Sequence, residues 1–74
     1  MKNEIETLKE RLNKIINNDI SYLYNVTCYD FKTKNLKNSR IETIMEWLND
    51  FPEYFKSYSC YSNRIIICNC LYRF

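Results

Sequence analysis

Hydrophobic positions along this chain follow two periods, and each change of period marks a change of element. Near the N-terminus Ile5, Leu8, Leu12 and Ile15 recur at alternating steps of three and four, with Met1 ahead and Ile16 beside them. That spacing lines up one face of an α-helix. Asn3 stands as its N-cap, Glu4 and Glu6 in the first turn and Lys14 in the last suit the helix dipole, and Asn17-Asn18 supplies the stop. The stripe has the spacing of a coiled-coil seam but is barely two heptads long, so packing on the chain's own sheet is the expected use. From Ile20 the period falls to two. Ile20, Tyr22, Tyr24, Val26 and Cys28 share one face and Ser21, Leu23, Asn25, Thr27 and Tyr29 the other, which predicts a half-buried strand with even positions inward.

Residues Phe31 to Asn38 are polar and basic and read as a loop. Ser39-Arg40-Ile41-Glu42 has the spacing of a capping box, with Ser39 as N-cap. The helix that follows is expected to bury Ile41, Ile44, Met45, Leu48 and Phe51, with Trp47 flanking the stripe. Pro52 cannot continue it, so a break near Asn49–Phe51 and a short second turn through Tyr54-Phe55 are expected. Ser57 to Tyr61 alternates again, and Ser62-Asn63 is the turn that joins it to a last, strongly apolar strand through Ile65, Ile66, Ile67, Cys68, Cys70, Leu71 and Tyr72. A two-residue loop would set Cys60 opposite Ile65. A three-residue loop including Arg64 would align Tyr58 and Cys60 with Cys68 and Ile66, and is preferred because it gathers the apolar sets on one face.

Together these elements predict one α+β domain over residues 1–74, in the order α-β-α-β-β. Its three-stranded sheet has the C-terminal strand central, a right-handed crossover between the first two strands, and both helices mainly on one face. The expected core face of the sheet carries Tyr22, Tyr24, Val26, Cys28, Ile66, Cys68, Cys70 and Tyr72.

Composition narrows the functional classes more than it changes the fold. At 46% hydrophobic and 27% charged the chain is globular, and a net charge of +2 neither demands nor excludes a nucleic-acid partner. There is no Gly, Ala, Gln or His, while Asn, Lys, Ile, Tyr and Phe supply half of the residues. These are residues of A- and T-rich codons, which points to an AT-rich genome such as that of a low-GC bacterium or its phage. The first residues lack the apolar centre of a signal peptide, and nothing approaches the roughly 20 apolar residues that cross a bilayer. A bacterial cytoplasmic setting with free thiols and no membrane partner is therefore expected.

Without Gly there is no phosphate-cradling loop, dinucleotide fingerprint or nucleophile elbow, and without His no conventional triad. Catalysis and cofactors are not expected. Four cysteines, Cys28, Cys60, Cys68 and Cys70, invite a zinc site. Only Cys68 and Cys70 are close in sequence, however, and in a strand they point the same way about 7 Å apart. Buried thiols acting as small hydrophobes are the expected reading, with no metal. Lys32, Lys34, Lys37 and Arg40, beside Phe31, are candidate phosphate contacts. The reverse face of the sheet is expected to carry Leu23, Tyr29, Tyr61, Ile65, Ile67 and Leu71, and Trp47 of the second helix is a further candidate partner contact. That face is an apolar surface meant either for a crossing helix or for a partner.

In size, helix-then-sheet layout, Asn/Lys/Ile/Tyr-rich composition and lack of catalytic residues, the whole chain resembles small phage-encoded inhibitors, of which the anti-CRISPR proteins are the best-known group. The resemblance implies stoichiometric binding to a bacterial protein or nucleoprotein complex without turnover. Two other readings stay open: a nucleic-acid-binding regulator using the basic loop 32–40, and a homodimeric structural or accessory protein that buries its apolar sheet face against itself.

Overall fold

A computed structural model describes residues 3–69. The chain is α+β: helix α1 (Glu4–Asn17), strand β1 (Asn25–Asp30), strand β2 (Leu36–Asn38), helix α2 (Ile41–Asp50), strand β3 (Phe55–Tyr61) and strand β4 (Arg64–Asn69). The sheet has four strands in the order β2-β1-β4-β3, where three were expected. β4 runs parallel to β1 and antiparallel to β3, while β2 adds antiparallel to the outer edge of β1. Cys70, Leu71 and Tyr72, expected in the last strand, lie outside the described residues.

Helix α1 ends are capped as its sequence allows. Asn3 Oδ1 accepts from the Glu6 N–H at 2.9 Å. At the other end Asp19, not Asn17 or Asn18, takes the left-handed conformation, with φ of 55°. Asp19 N–H donates to Ile16 O and Ile20 N–H to Ile15 O, the paired bonds of a Schellman cap. The chain then closes local bonds from Leu23 to Ile20 and from Tyr24 to Ser21, so residues 21–23 form a 3₁₀ turn rather than the start of the strand. The reason is pairing. β4 begins at Arg64, level with Asn25, so residues 20–24 have no neighbouring strand to bond. Tyr22, expected inward, is instead 81% exposed.

The expected loop after β1 hides the fourth strand. Asp30, buried at the end of β1, accepts the Lys32 N–H on its carboxylate at 2.8 Å and the Lys34 N–H on its carbonyl at 2.7 Å. Lys34 adopts φ of 60°, and the chain reverses so that Leu36, Lys37 and Asn38 pair with Tyr29, Cys28 and Thr27. Thr27 Oγ1 donates to Asn38 Oδ1 across the pair at 3.0 Å. This hairpin also displaces the expected capping box. The Ser39 N–H donates to Val26 O, which holds Ser39 extended along the sheet, and its hydroxyl lies beside the Cys28 thiol. Arg40 is the N-cap residue and makes no side-chain capping bond.

Both helices pack on one face of the sheet. Leu8, Leu12 and Ile15 of α1 and Ile41, Ile44, Trp47 and Leu48 of α2 form a single core with Val26, Cys28, Ile65 and Ile67. Here the structure reverses an expectation. The loop between β3 and β4 has two residues, Ser62 and Asn63, so Cys60 faces Ile65 and Tyr58 faces Ile67. The core therefore takes the odd members of β4, not Ile66 and Cys68. Three consecutive isoleucines leave no alternation to read, and burial decides. Two Ile side chains remove more apolar surface than one Ile and one Cys, and each fully buried Ile contributes roughly 1.5–3 kcal/mol. Phe55 still reaches the same core because the register shifts between Phe55 and Ser57, leaving Lys56 as a bulge on the sheet edge.

That choice of register brings Asn69 inward too. It is 0% exposed, level with buried Asp30 on the parallel neighbour. Among the described residues neither its Oδ1 nor its Nδ2 has a hydrogen-bond partner. A buried polar group left unsatisfied costs about 1–3 kcal/mol. Asn69→Val should therefore raise the urea midpoint at unchanged slope, a gain of about 1–2 kcal/mol. A lowered midpoint would show that the amide is satisfied in solution.

Candidate partner-binding face

With both helices on one side, the other side of the sheet is left without a covering element among the described residues. Its side chains follow from the strand registers and form three rows of neighbours. The first row is Leu36, Tyr29, Cys68 and Ser57; the second is Asn38, Thr27, Ile66 and Ser59; the third is Asn25, Arg64 and Tyr61. Strands about 4.8 Å apart and same-face residues about 6.8 Å apart make this a surface roughly 14 Å by 14 Å between Cα positions. Leu36 and Tyr61, at opposite corners, are 68% and 58% exposed. Phe31, just past β1, is 49% exposed and meets Tyr29 edge-on, with ring centroids 5.3 Å apart.

The face is mixed in character. Tyr29, Phe31, Leu36, Ile66 and Cys68 give it apolar bulk at one end, while Thr27, Asn38, Ser57, Ser59 and Asn25 make most of the rest polar. Thr27 lies within hydrogen-bonding reach of both Asn38 and Asn25, so part of the polar row is pre-ordered.

The candidates singled out in the sequence are scattered by this arrangement. Tyr29 and Tyr61 lie on the open face. Ile65, Ile67 and Trp47 are buried in the core, the isoleucines because of the hairpin register and Trp47 because it turns toward the sheet with Leu48. Leu23 is exposed in the 3₁₀ turn, and Leu71 lies outside the described residues. Lys32 and Lys34 sit in the β1–β2 turn beside Phe31, but Lys37 shares the register level of Cys28 and Arg40 stands at the N-cap position of α2, so the four cations do not gather on one surface. Phe31, Leu36, Ser57, Ser59, Arg64, Ile66 and Cys68 went unread as face residues. The alternation of Ser57, Ser59 and Tyr61 against Tyr58 and Cys60 was the signal that could have placed β3's share of them.

A cleft of about 440 Å³ opens at the start of α2, lined by Tyr22, Tyr24, Ser39, Arg40, Asp19 and Glu42 among others. Two carboxylates there face one guanidinium, which does not suit an anion at the helix N-terminus. Of the thiols, Cys28 is buried and Cys60 and Cys68 are partly so. Burial pushes the Cys28 thiol up from 9.0 to about 12, partly opposed by the Ser39 hydroxyl and the charge of Lys37. A thiol held neutral in this way is a poor nucleophile and a poor metal ligand. Among the described residues no three Cys, Asp or Glu side chains converge where a metal ion could sit, and no helix is long and apolar enough to cross a membrane. Comparison with known proteins gives no matching family, no matching curated protein and no matching solved structure.

Proposed function

We propose that this chain is a small non-catalytic binding protein that engages a protein partner stoichiometrically through the open face of its sheet, as an inhibitor of a bacterial protein or nucleoprotein complex would. The observation that carries this reading is the make-up of that face. Tyrosines supply rigid amphipathic contact area, and Ser, Thr and Asn supply adaptable hydrogen bonding around them. That is the mixture found in recognition surfaces that must stay soluble when unbound. The same polar rows weigh against a homodimer closed by this face, because self-association of a permanent kind favours a largely apolar patch.

The test is a crosslinking capture from extracts of the AT-rich bacterial hosts that the codon bias suggests, with the wild-type chain and a Tyr29→Ser/Tyr61→Ser variant. Truncating aromatic anchors at an interface can cost about 2 kcal/mol or more, so losing both tyrosines should lower capture by about thirtyfold while the thermal midpoint stays within a few degrees. Equal capture by both proteins would remove the open face from the interface.

A further inference from the structure

Carboxylates on this molecule are sorted by side, although α1 also carries Lys9, Arg11 and Lys14, so the acidic excess belongs to α2 and the turn after it. Every carboxylate other than Asp30 lies within residues 4–19 and 42–53, in the helices and the segments that flank them, and Asp30 points into the core. The sheet and its turns, residues 25–40 and 55–69, carry cations alone at their surface. On the open face these stand at its two ends. Lys32 and Lys34 sit in the turn beyond Tyr29, and Arg64 lies in the far row beside Tyr61. Six residue steps along β1 separate the level of Asn25 and Arg64 from that of Phe31, roughly 20 Å.

From this we infer that the open face takes an acidic protein surface, one that presents carboxylates about 20 Å apart, beside the tyrosines at its two ends, with a largely polar centre between them. The inference rests on the binding function proposed above and names the chemistry of the partner. Two observations support it. Even with side chains extending beyond the Cα positions, the three rows offer roughly 400 Å², about half of what one partner contributes to a standard interface, so the cationic ends must take part. The acidic excess of α2 and the turn after it also turns the molecule so that its sheet leads toward a negatively charged target.

A single-stranded nucleic acid fits the same charges less well. Tyr29 and Phe31 stand edge to face, at 85° to each other, so each restricts the other as a stacking platform. Tyr61 lies two strands and two rows from Tyr29, and neutral Thr27, Asn38 and Ser59 interrupt any continuous cationic track between the ends.

The experiment uses the full chain labelled with ¹⁵N, at low salt, titrated separately with a poly-L-glutamate peptide and with single-stranded oligo(dT) of equal charge. Poly-glutamate should shift amides of the β1–β2 turn, β4 and the outward residues of β3, and leave α2 unmoved. A Lys32→Glu/Arg64→Glu variant, checked for an unchanged thermal midpoint, should bind at least about tenfold more weakly. Shifts centred elsewhere, or a variant that binds equally well, would overturn the inference. Oligo(dT) bound tenfold more tightly than poly-glutamate on the same face would assign the surface to nucleic acid instead. Concentration-dependent shifts without any probe would assign it to the acidic α2 of a second copy; either result overturns the acidic-protein partner. In the extract capture, loss with Tyr29→Ser/Tyr61→Ser but full retention with Lys32→Glu/Arg64→Glu would overturn this inference alone. Indifference to both variants would overturn the proposed function with it.

Discussion

Ile67→Ala should destabilise the protein by about 2–5 kcal/mol, whereas Ile66→Ala, one residue earlier in the same strand, should cost less than about 1 kcal/mol. The contrast follows from the two-residue hairpin. Ile67 is 0% exposed and packs with both helices, so truncation leaves a cavity that a small domain cannot close. Ile66 is only partly buried, on the open face, where solvent fills the space left behind. At roughly 0.05–0.15 kcal/mol per residue a domain of this size has about 4–11 kcal/mol in all, so Ile67→Ala can unfold a large fraction of the molecules at room temperature. Urea unfolding of the two variants side by side decides the register. Equal losses, or a larger loss at Ile66, would mean that the strand presents its other face to the helices.

Raising the pH should expose the second large effect, through Cys28. Burial holds its thiol neutral, with the value pushed from 9.0 to about 12. Below pH 9 the thiol is neutral in the folded and unfolded chain alike, and the full stability is present. Between about 9 and 12 the unfolded chain ionises while the folded chain does not, so unfolding gains roughly 1.4 kcal/mol for each pH unit and about 4 kcal/mol across the window. Wild type is compared with Cys28→Val, which removes the titrating group and keeps the site apolar. The two stability curves should keep a constant separation near neutrality and change it above pH 9, with the wild type falling faster. Parallel curves up to pH 11 would mean that Cys28 is not shielded from water.

The helices were legible because their information is local. Ile5, Leu8, Leu12 and Ile15 define a face by themselves, Asn3 caps it by a bond to a residue three positions on, and Pro52 ends α2 close to where its lost N–H requires. The inward set of β1, Val26 and Cys28, was legible for the same reason. What escaped depends on distant partners. Leu36 to Asn38 is too short and polar to read as a strand, and becomes one because Asp30 organises the turn before it. Ser39 has the chemistry of an N-cap but is claimed by Val26 of β1. In Ile65-Ile66-Ile67 every residue is apolar, so nothing in the segment says which side faces the helices. That single ambiguity moved two residues of the candidate interface into the core and brought Ile66 and Cys68 out to the open face.

The place of β4 also governs when this protein can fold. It lies between β1 and β3, so neither of those strands reaches the other without it, and the apolar faces of both helices pack on a surface that β4 completes. Its pairing with β1 joins residues 39 positions apart, from Asn25↔Arg64 to Asp30↔Asn69. Loop closure over that span comes before the contacts that offset it, which slows folding. β4 is also made after every other described element. During synthesis the chain would pass through a period with two amphipathic helices and a β1–β2 hairpin in hand but no strand to unite them. A nascent chain stopped before residue 64 should accordingly remain open to protease until the last isoleucines emerge.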